Sequence, residues 1–118
     1  MKSLIISFLL LSGGAAIAEP LPMTAELKVA GTAAITERLK DPGSAQFGPE
    51  AAAFAMPDGT VSFCSSVNAK NNMGGYVGMQ PAWASLRKEG DKFVGVDADL
   101  SRPGYRGYFW QFHPECPH

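Results

Sequence analysis

The side chains of this sequence able to do covalent or metal chemistry are few, and they crowd toward one end. His113-Pro114-Glu115-Cys116-Pro117-His118 sets two imidazoles, a carboxylate and a sulfur in one short stretch, the ligand types that suit Zn(II) or Cu(II). Two prolines stiffen that stretch, and structural sites of this kind usually draw ligands from two chain regions, so the plainer reading is an exposed polar tail. A His-assisted nucleophile would need His113 or His118, the two histidines of the chain, and both lie where a chain end frays. Ser44, Ser62, Ser65 and Ser66 are ordinary strand and turn residues with no nucleophile-elbow motif around them. Asp97 and Asp99 are spaced to share a strand face as a carboxylate pair, although Asp and Gly near a strand end more often mark a turn. These patterns assign no catalytic residue, no metal site and no cofactor.

What Cys64 and Cys116 can do depends on compartment, and residues 1–18 bear on that. Lys2 gives a positive start, Leu4 to Leu11 an apolar centre, and Ala16-Ile17-Ala18 a small-x-small cleavage site, the pattern of a removable export signal. A mature chain starting at Glu19 is expected, periplasmic or secreted. Outside the cytoplasm two cysteines most often form one disulfide, so Cys64–Cys116 is the expected pairing. The apolar run is too short for a bilayer core of about 30 Å at roughly 1.5 Å per residue. Acylation would require a cysteine where Glu19 stands, so no membrane anchor is expected. The formal net charge is −1, and loss of Lys2 makes it one unit more negative. With no basic stripe or polybasic patch, nucleic-acid and membrane-surface binding are not indicated.

The remaining stretch of about 100 residues suits one domain. Pro20 and Pro22 keep its start extended. Thr24 is placed to cap a helix over residues 24–40, with Glu26 in its first turn and Leu27, Gly31, Ala34, Ile35 and Leu39 on one face. Asp41-Pro42-Gly43 stops it, because the residue before proline is pushed out of the α region. Short apolar runs split by Gly, Pro, Asn and Asp then predict an antiparallel meander. Its strands are expected over Phe47 to Met56, Thr60 to Ala69, Tyr76 to Met79 (interrupted by Pro81, with Trp83 to Leu86 continuing it) and Lys92 to Val96, and Pro57-Asp58-Gly59 forms a turn. Val61, Phe63, Val67 alternate with Ser62, Cys64, Ser66, which sets Cys64 opposite the apolar row. Either the sheet is covered on both sides, or a bulge at Ser65-Ser66 returns Cys64 to the apolar side. Tyr105, Tyr108, Phe109 and Phe112 have helical spacing while Tyr108, Trp110 and Phe112 alternate. A short helix is favoured, and most of these aromatics, with Trp83, are expected to complete the core.

Two segments, Leu39-Lys40-Asp41-Pro42-Gly43-Ser44-Ala45-Gln46-Phe47 and Cys64 through Gly78, carry the patterns L-K-D-P-x-S-A-x-F and C-x-x-V-N-A-K-N-x-x-G-G-Y-x-G. With a further cysteine near the C-terminus, they resemble an uncharacterised family of small exported bacterial and phage proteins. Ser65 stands where many members carry Gly. The resemblance implies location and the disulfide rather than an activity. Physically, Asn68 to Gly78 reads as strand, tight polar reversal, strand. The alternative is a ligand-cradling loop with Lys70 as cation and backbone N–H groups as an anion nest.

The sequence thus predicts a single α+β domain: an N-terminal helix on a three- to four-stranded antiparallel meander, with an aromatic C-terminal segment tied down by Cys64–Cys116. The functional expectation is a non-catalytic accessory module that binds a protein or cell-wall component, with Asn68, Lys70, Asn71, Tyr76 and Trp83 as candidate contacts. A small envelope hydrolase and a metal-binding protein using the tail are the alternatives.

Overall fold

The computed structural model describes residues 17–118; the expected export signal falls almost wholly outside them. Chain order is β1 (Glu19–Leu21), α1 (Ala25–Thr36), a 3-10 turn (Pro42–Ser44), β2 (Gln46–Phe47), β3 (Ala52–Ala55), β4 (Val61–Asn68), β5 (Gln80–Glu89), β6 (Lys92–Leu100) and α2 (Arg106–Phe112). The strands form one antiparallel sheet in the order β1-β3-β4-β5-β6, with β2 pairing β4 beyond the end of β3. The fold is therefore α+β as expected, with six strands among the described residues rather than three or four. Among the described residues no helix is long and apolar enough to cross a membrane.

Helix α1 begins where its cap dictates: Thr24 Oγ1 accepts from the Leu27 backbone N–H at 3.2 Å, which satisfies one of the first-turn donors that have no partner within the helix. Leu27, Gly31 and Ile35 form its buried stripe and lie against the sheet face bearing Val61, Phe63, Val67, Ala82, Ala84, Leu86 and Ala98. Two glycines set how closely helix and sheet approach. A Cβ on Gly31 would lie 2.3 Å from the Phe63 ring, and one on Gly95 of β6 would lie 3.0 Å from the Ala34 Cβ. The helix ends at Thr36, short of the expected residue 40, because Arg38 and Leu39 N–H groups turn back to Ile35 and Thr36 carbonyls. That tightening brings Leu39 onto the core ahead of Asp41-Pro42.

One strand is added and three expectations about strands are corrected. The extended start, residues 19–21, pairs with β3 as an edge strand, where Pro20 is tolerated. Phe47 to Met56 is broken into β2 and β3, because Pro49 has no N–H to continue pairing and Gly48 presses against Ser66, where a Cβ would lie 2.3 Å from the hydroxyl. Tyr76 to Met79 is not a strand; Tyr76 makes one isolated bridge to Lys70. Instead β5 starts at Gln80 and runs straight through Pro81. The N–H and C=O of a strand residue point to the same edge, and the Pro81 carbonyl takes the Ser101 N–H at 2.9 Å, just past the end of β6. The donor Pro81 lacks would thus face a ladder that has already finished.

Finally, β6 reaches Leu100 rather than Val96, so Asp97 and Asp99 are strand residues and not a turn. Their Oδ1 atoms accept the Ala98 and Leu100 N–H groups at 2.8 and 2.9 Å. On a strand at the end of a sheet, such carboxylates occupy backbone donors and blunt the edge against pairing with other chains.

The Pro57-Asp58-Gly59 turn forms between β3 and β4, with Gly59 at φ 90°. Asp58 Oδ1 accepts from the Thr60 hydroxyl at 2.6 Å and the Thr60 N–H at 3.0 Å. These bonds, the hydroxyl foremost, hold the Asp58 carboxyl below the usual aspartate range. Because the folded value lies below the unfolded one, the turn's contribution is present above the unfolded value and fades as pH falls through the folded one. An NMR titration of Asp58 should therefore give a midpoint below that of a free aspartate, moving upward in Thr60→Val; an unchanged midpoint would refute the assignment.

Candidate functional site

Alternation along β4 settles the two arrangements left open by the sequence. Phe63 and Val67 lie under α1, Cys64 faces the other way, and Cys64 and Cys116 are joined. No bulge occurs at Ser65-Ser66; the irregularity of the sheet lies between Ser85 and Leu86. The disulfide sits in a second, smaller core with Phe109, flanked by Ala52, Phe54, Trp83 and Trp110. The sheet is thus covered on both sides, by α1 on one and by α2 and the tail on the other.

The tail is not the frayed polar end that its composition implied. Once Cys116 is fixed beside Cys64, Glu115 is carried to Ser62, two residues upstream on the same face. Ser62 Oγ donates to Glu115 Oε2 at 2.7 Å and accepts from Trp83 Nε1 at 3.1 Å. His113 is 7 % exposed, stacks on the Trp83 ring at 4.1 Å between centroids, and its Nε2 lies 2.8 Å from Asp99 Oδ2. His118 packs against Trp110, whose indole N–H reaches the Pro117 carbonyl at 3.3 Å. The four side chains considered as metal ligands thus go to four different neighbours, and no group of three ligand residues gathers among the described residues.

The same geometry bears on nucleophilic catalysis. Asp99–His113 is an acid–imidazole pair, but the buried Ser62 hydroxyl is engaged with Glu115 and Trp83 and is 2 % exposed. Asp97 is paired instead with Arg38 at 2.5 Å. The two aspartates therefore serve separate partners and do not flank a common reacting centre.

Of the sequence-derived contacts, Asn68, Lys70, Asn71 and Tyr76 come together, and Trp83 lies apart from them in the second core. Two of them, Lys70 and Tyr76, are joined through Ser44, which the sequence marks only as a strand or turn serine. Ser44 Oγ donates to the Asp41 carbonyl at 2.7 Å and accepts the Lys70 N–H at 2.8 Å, while its own carbonyl takes the Tyr76 hydroxyl at 3.1 Å. Asn68 Oδ1 accepts the Gly78 N–H at 3.0 Å, and Asn71 Oδ1 accepts the Met73 and Gly75 N–H groups at 2.9 and 3.2 Å. The Lys70 ammonium lies 5.6 Å from the centroid of the Tyr76 ring. The two segments that carry the resemblance are thus two halves of one hydrogen-bonded unit. Ser44→Ala leaves the Lys70 N–H without its acceptor, and a loss of about 1–3 kcal/mol is expected in urea unfolding, with faster amide exchange at Lys70. Wild-type exchange at Lys70 would refute it.

A cluster of exposed aromatics lies at the start and along α2. Tyr105, Tyr108 and Phe112 are 56 %, 63 % and 70 % exposed, contrary to the expectation that most of the aromatics complete the core. Trp83, Phe109 and Trp110 do so. Two clefts flank the helix. One, of about 370 Å³, is lined by Arg106, Trp110 and His118, by Glu50 and Ser66, and by the disulfide. The second, of about 270 Å³, lies between the exposed aromatics and the end of β6. Comparison with family models, with curated proteins and with solved structures finds no match for this chain. The fold and this surface define an α+β domain with a pinned aromatic helix.

Proposed function

We propose that this chain is a non-catalytic exported accessory module, periplasmic or secreted, related to the small exported bacterial and phage proteins its two segments resemble. Its role is to bind a protein or cell-wall component, and α2 is its recognition element. One observation carries this reading: Tyr105, Tyr108 and Phe112 are exposed at the start and along α2, whose Phe109 packs in the second core with the disulfide and is followed by His113 bonded to Asp99. Exposed apolar side chains gathered on a fixed element mark interaction sites, and aromatics anchored in this way lose little entropy on binding.

The Ser44-centred loop is the comparison surface, since its Asn68 and Asn71 side chains are taken up in holding its own backbone. Recovery of partners from envelope extract tests the reading with three baits: wild type, Lys70→Ala/Tyr76→Ala, and Tyr105→Ser/Tyr108→Ser/Phe112→Ser. Partners should be lost with the aromatic variant and kept with the loop variant. Equal recovery with all three would overturn the reading, and loss with the loop variant alone would move the site to Lys70 and Tyr76.

A further inference from the structure

Resting on that reading of α2, we propose that the ligand of its aromatic face is a carbohydrate, seated in the cleft formed by Asp99, Arg102, Tyr105, Tyr108 and Phe112. The wall of this cleft combines three kinds of group. Tyr105 and Tyr108 present two rings 6.2 Å apart and tilted by 31°, with Phe112 one turn further along the helix. Asp99 brings a carboxylate whose side chain is 47 % exposed. Its Oδ1 holds the Leu100 N–H and its Oδ2 holds His113, so each oxygen keeps a further lone pair for a ligand donor. Arg102 is exposed, and its guanidinium has no protein partner among the described residues.

Charge decides between ligand classes. A carboxylate and a guanidinium at one rim cancel, so neither an acidic peptide nor an anionic membrane surface is favoured; each would meet Asp99. A purely apolar partner would bury Asp99 and Arg102 without hydrogen bonds, which is costly. A sugar ring satisfies all three groups at once. Its hydroxyls donate to the carboxylate and accept from the guanidinium, while its C–H face lies on the tyrosine rings. The volume of about 270 Å³ falls just below the usual range for drug-sized ligands, which suits one sugar residue with the rest of a glycan extending into solvent. His113, behind Asp99, holds one of the carboxylate oxygens.

The test uses the purified protein on an array of bacterial cell-wall and capsular glycans, followed by saturation-transfer NMR with the bound oligosaccharides. Cellotetraose and the tetramer of N-acetylglucosamine are included as defined probes, and an acidic peptide and anionic vesicles as competing classes. Saturation should pass to sugar C–H protons. Tyr105→Ala/Tyr108→Ala and Arg102→Ala should each raise Kd about tenfold or more, with thermal unfolding unchanged because these side chains are exposed, and Lys70→Ala should leave Kd unaltered. Absence of any glycan binding at millimolar concentration, or equal binding by the tyrosine variant, would overturn the proposal. If the aromatic variant loses envelope partners yet no sugar binds, the ligand class is wrong and α2 remains the recognition element. If it loses neither, both readings fall.

Discussion

Replacing Cys64 and Cys116 together by alanine should lower the unfolding free energy by about 4 kcal/mol, one of the two largest effects expected in this molecule. The two residues are 52 apart in sequence, and in the chain-entropy model a crosslink closing a loop of that length removes about 4 kcal/mol of freedom from the unfolded chain. Net stabilities of small domains are only about 5–15 kcal/mol, so the loss is a large share of the whole. For a domain of about 100 residues it corresponds to a fall in Tm of roughly 15–30 °C. Both sulfurs are buried, each residue being 4 % exposed, so alanine is the fitting replacement; serine would add an unpaired hydroxyl. The effect should also be local. Without the crosslink, the tail is held by Phe109, the Trp83–His113 stack, Asp99 and the Ser62–Glu115 bond. Amide protection in α2 should fall before that in β4 and β5. Reductant added to wild type should reproduce the shift, and a change under about 1 kcal/mol in urea unfolding would show that the smaller core suffices alone.

The second large effect concerns the contact that sets the spacing of α1 over the sheet. Phe63 is fully buried, and its truncation to alanine should cost about 3–5 kcal/mol through lost apolar contact and the cavity left behind. Gly31→Ala tests the same contact from the helix side. Judged by helix propensity alone it should stabilise by about 1 kcal/mol, yet the new Cβ would sit 2.3 Å from the Phe63 ring. Overpacking of this kind costs about 1–3 kcal/mol or more, and the ring, enclosed on all sides, has nowhere to rotate. Net of that gain, Gly31→Ala alone should therefore destabilise by about 1–2 kcal/mol. In a Phe63→Leu background, where the smaller side chain leaves room, the penalty should shrink or reverse. Such non-additivity is the signature of direct contact. Additive behaviour in the four-member cycle, measured by denaturant unfolding, would contradict the packing described.

Both predictions rest on positions whose roles were partly legible beforehand. Gly31 fell on the apolar face of the expected helix, and period-two alternation from Thr60 to Ala69 set Phe63 and Cys64 on opposite sides of their strand. What the residues did not reveal is that Gly31 and Phe63 face each other, or that Tyr105, Tyr108 and Phe112 stay outside the core. Each depends on how two elements distant in sequence are set in space. The Ser62–Glu115 bond is intermediate: Ser62 precedes Cys64 by two on the same face, Glu115 adjoins Cys116, and the crosslink alone brings them near.

Local chemistry determined the local elements: the Thr24 cap, the turn at Pro57-Asp58-Gly59 and the alternation along β4 each follow from a few adjacent side chains and the 2-residue period, whereas the side taken by Cys64 was left open and the short C-terminal helix was favoured but not decided by its spacing. Tertiary structure decided the rest. Pro81 continues a strand because the neighbouring ladder stops beside it. Pro20 and Leu21 form an edge strand because β3 offers an open side. Ser44 joins two segments because the chain between them folds back, and His113 is buried because Cys116 is held. In each case the same residues could be loop or strand, exposed or covered. Backbone donors and side-chain partners far along the chain choose between them, and those partners are defined only once the sheet has closed.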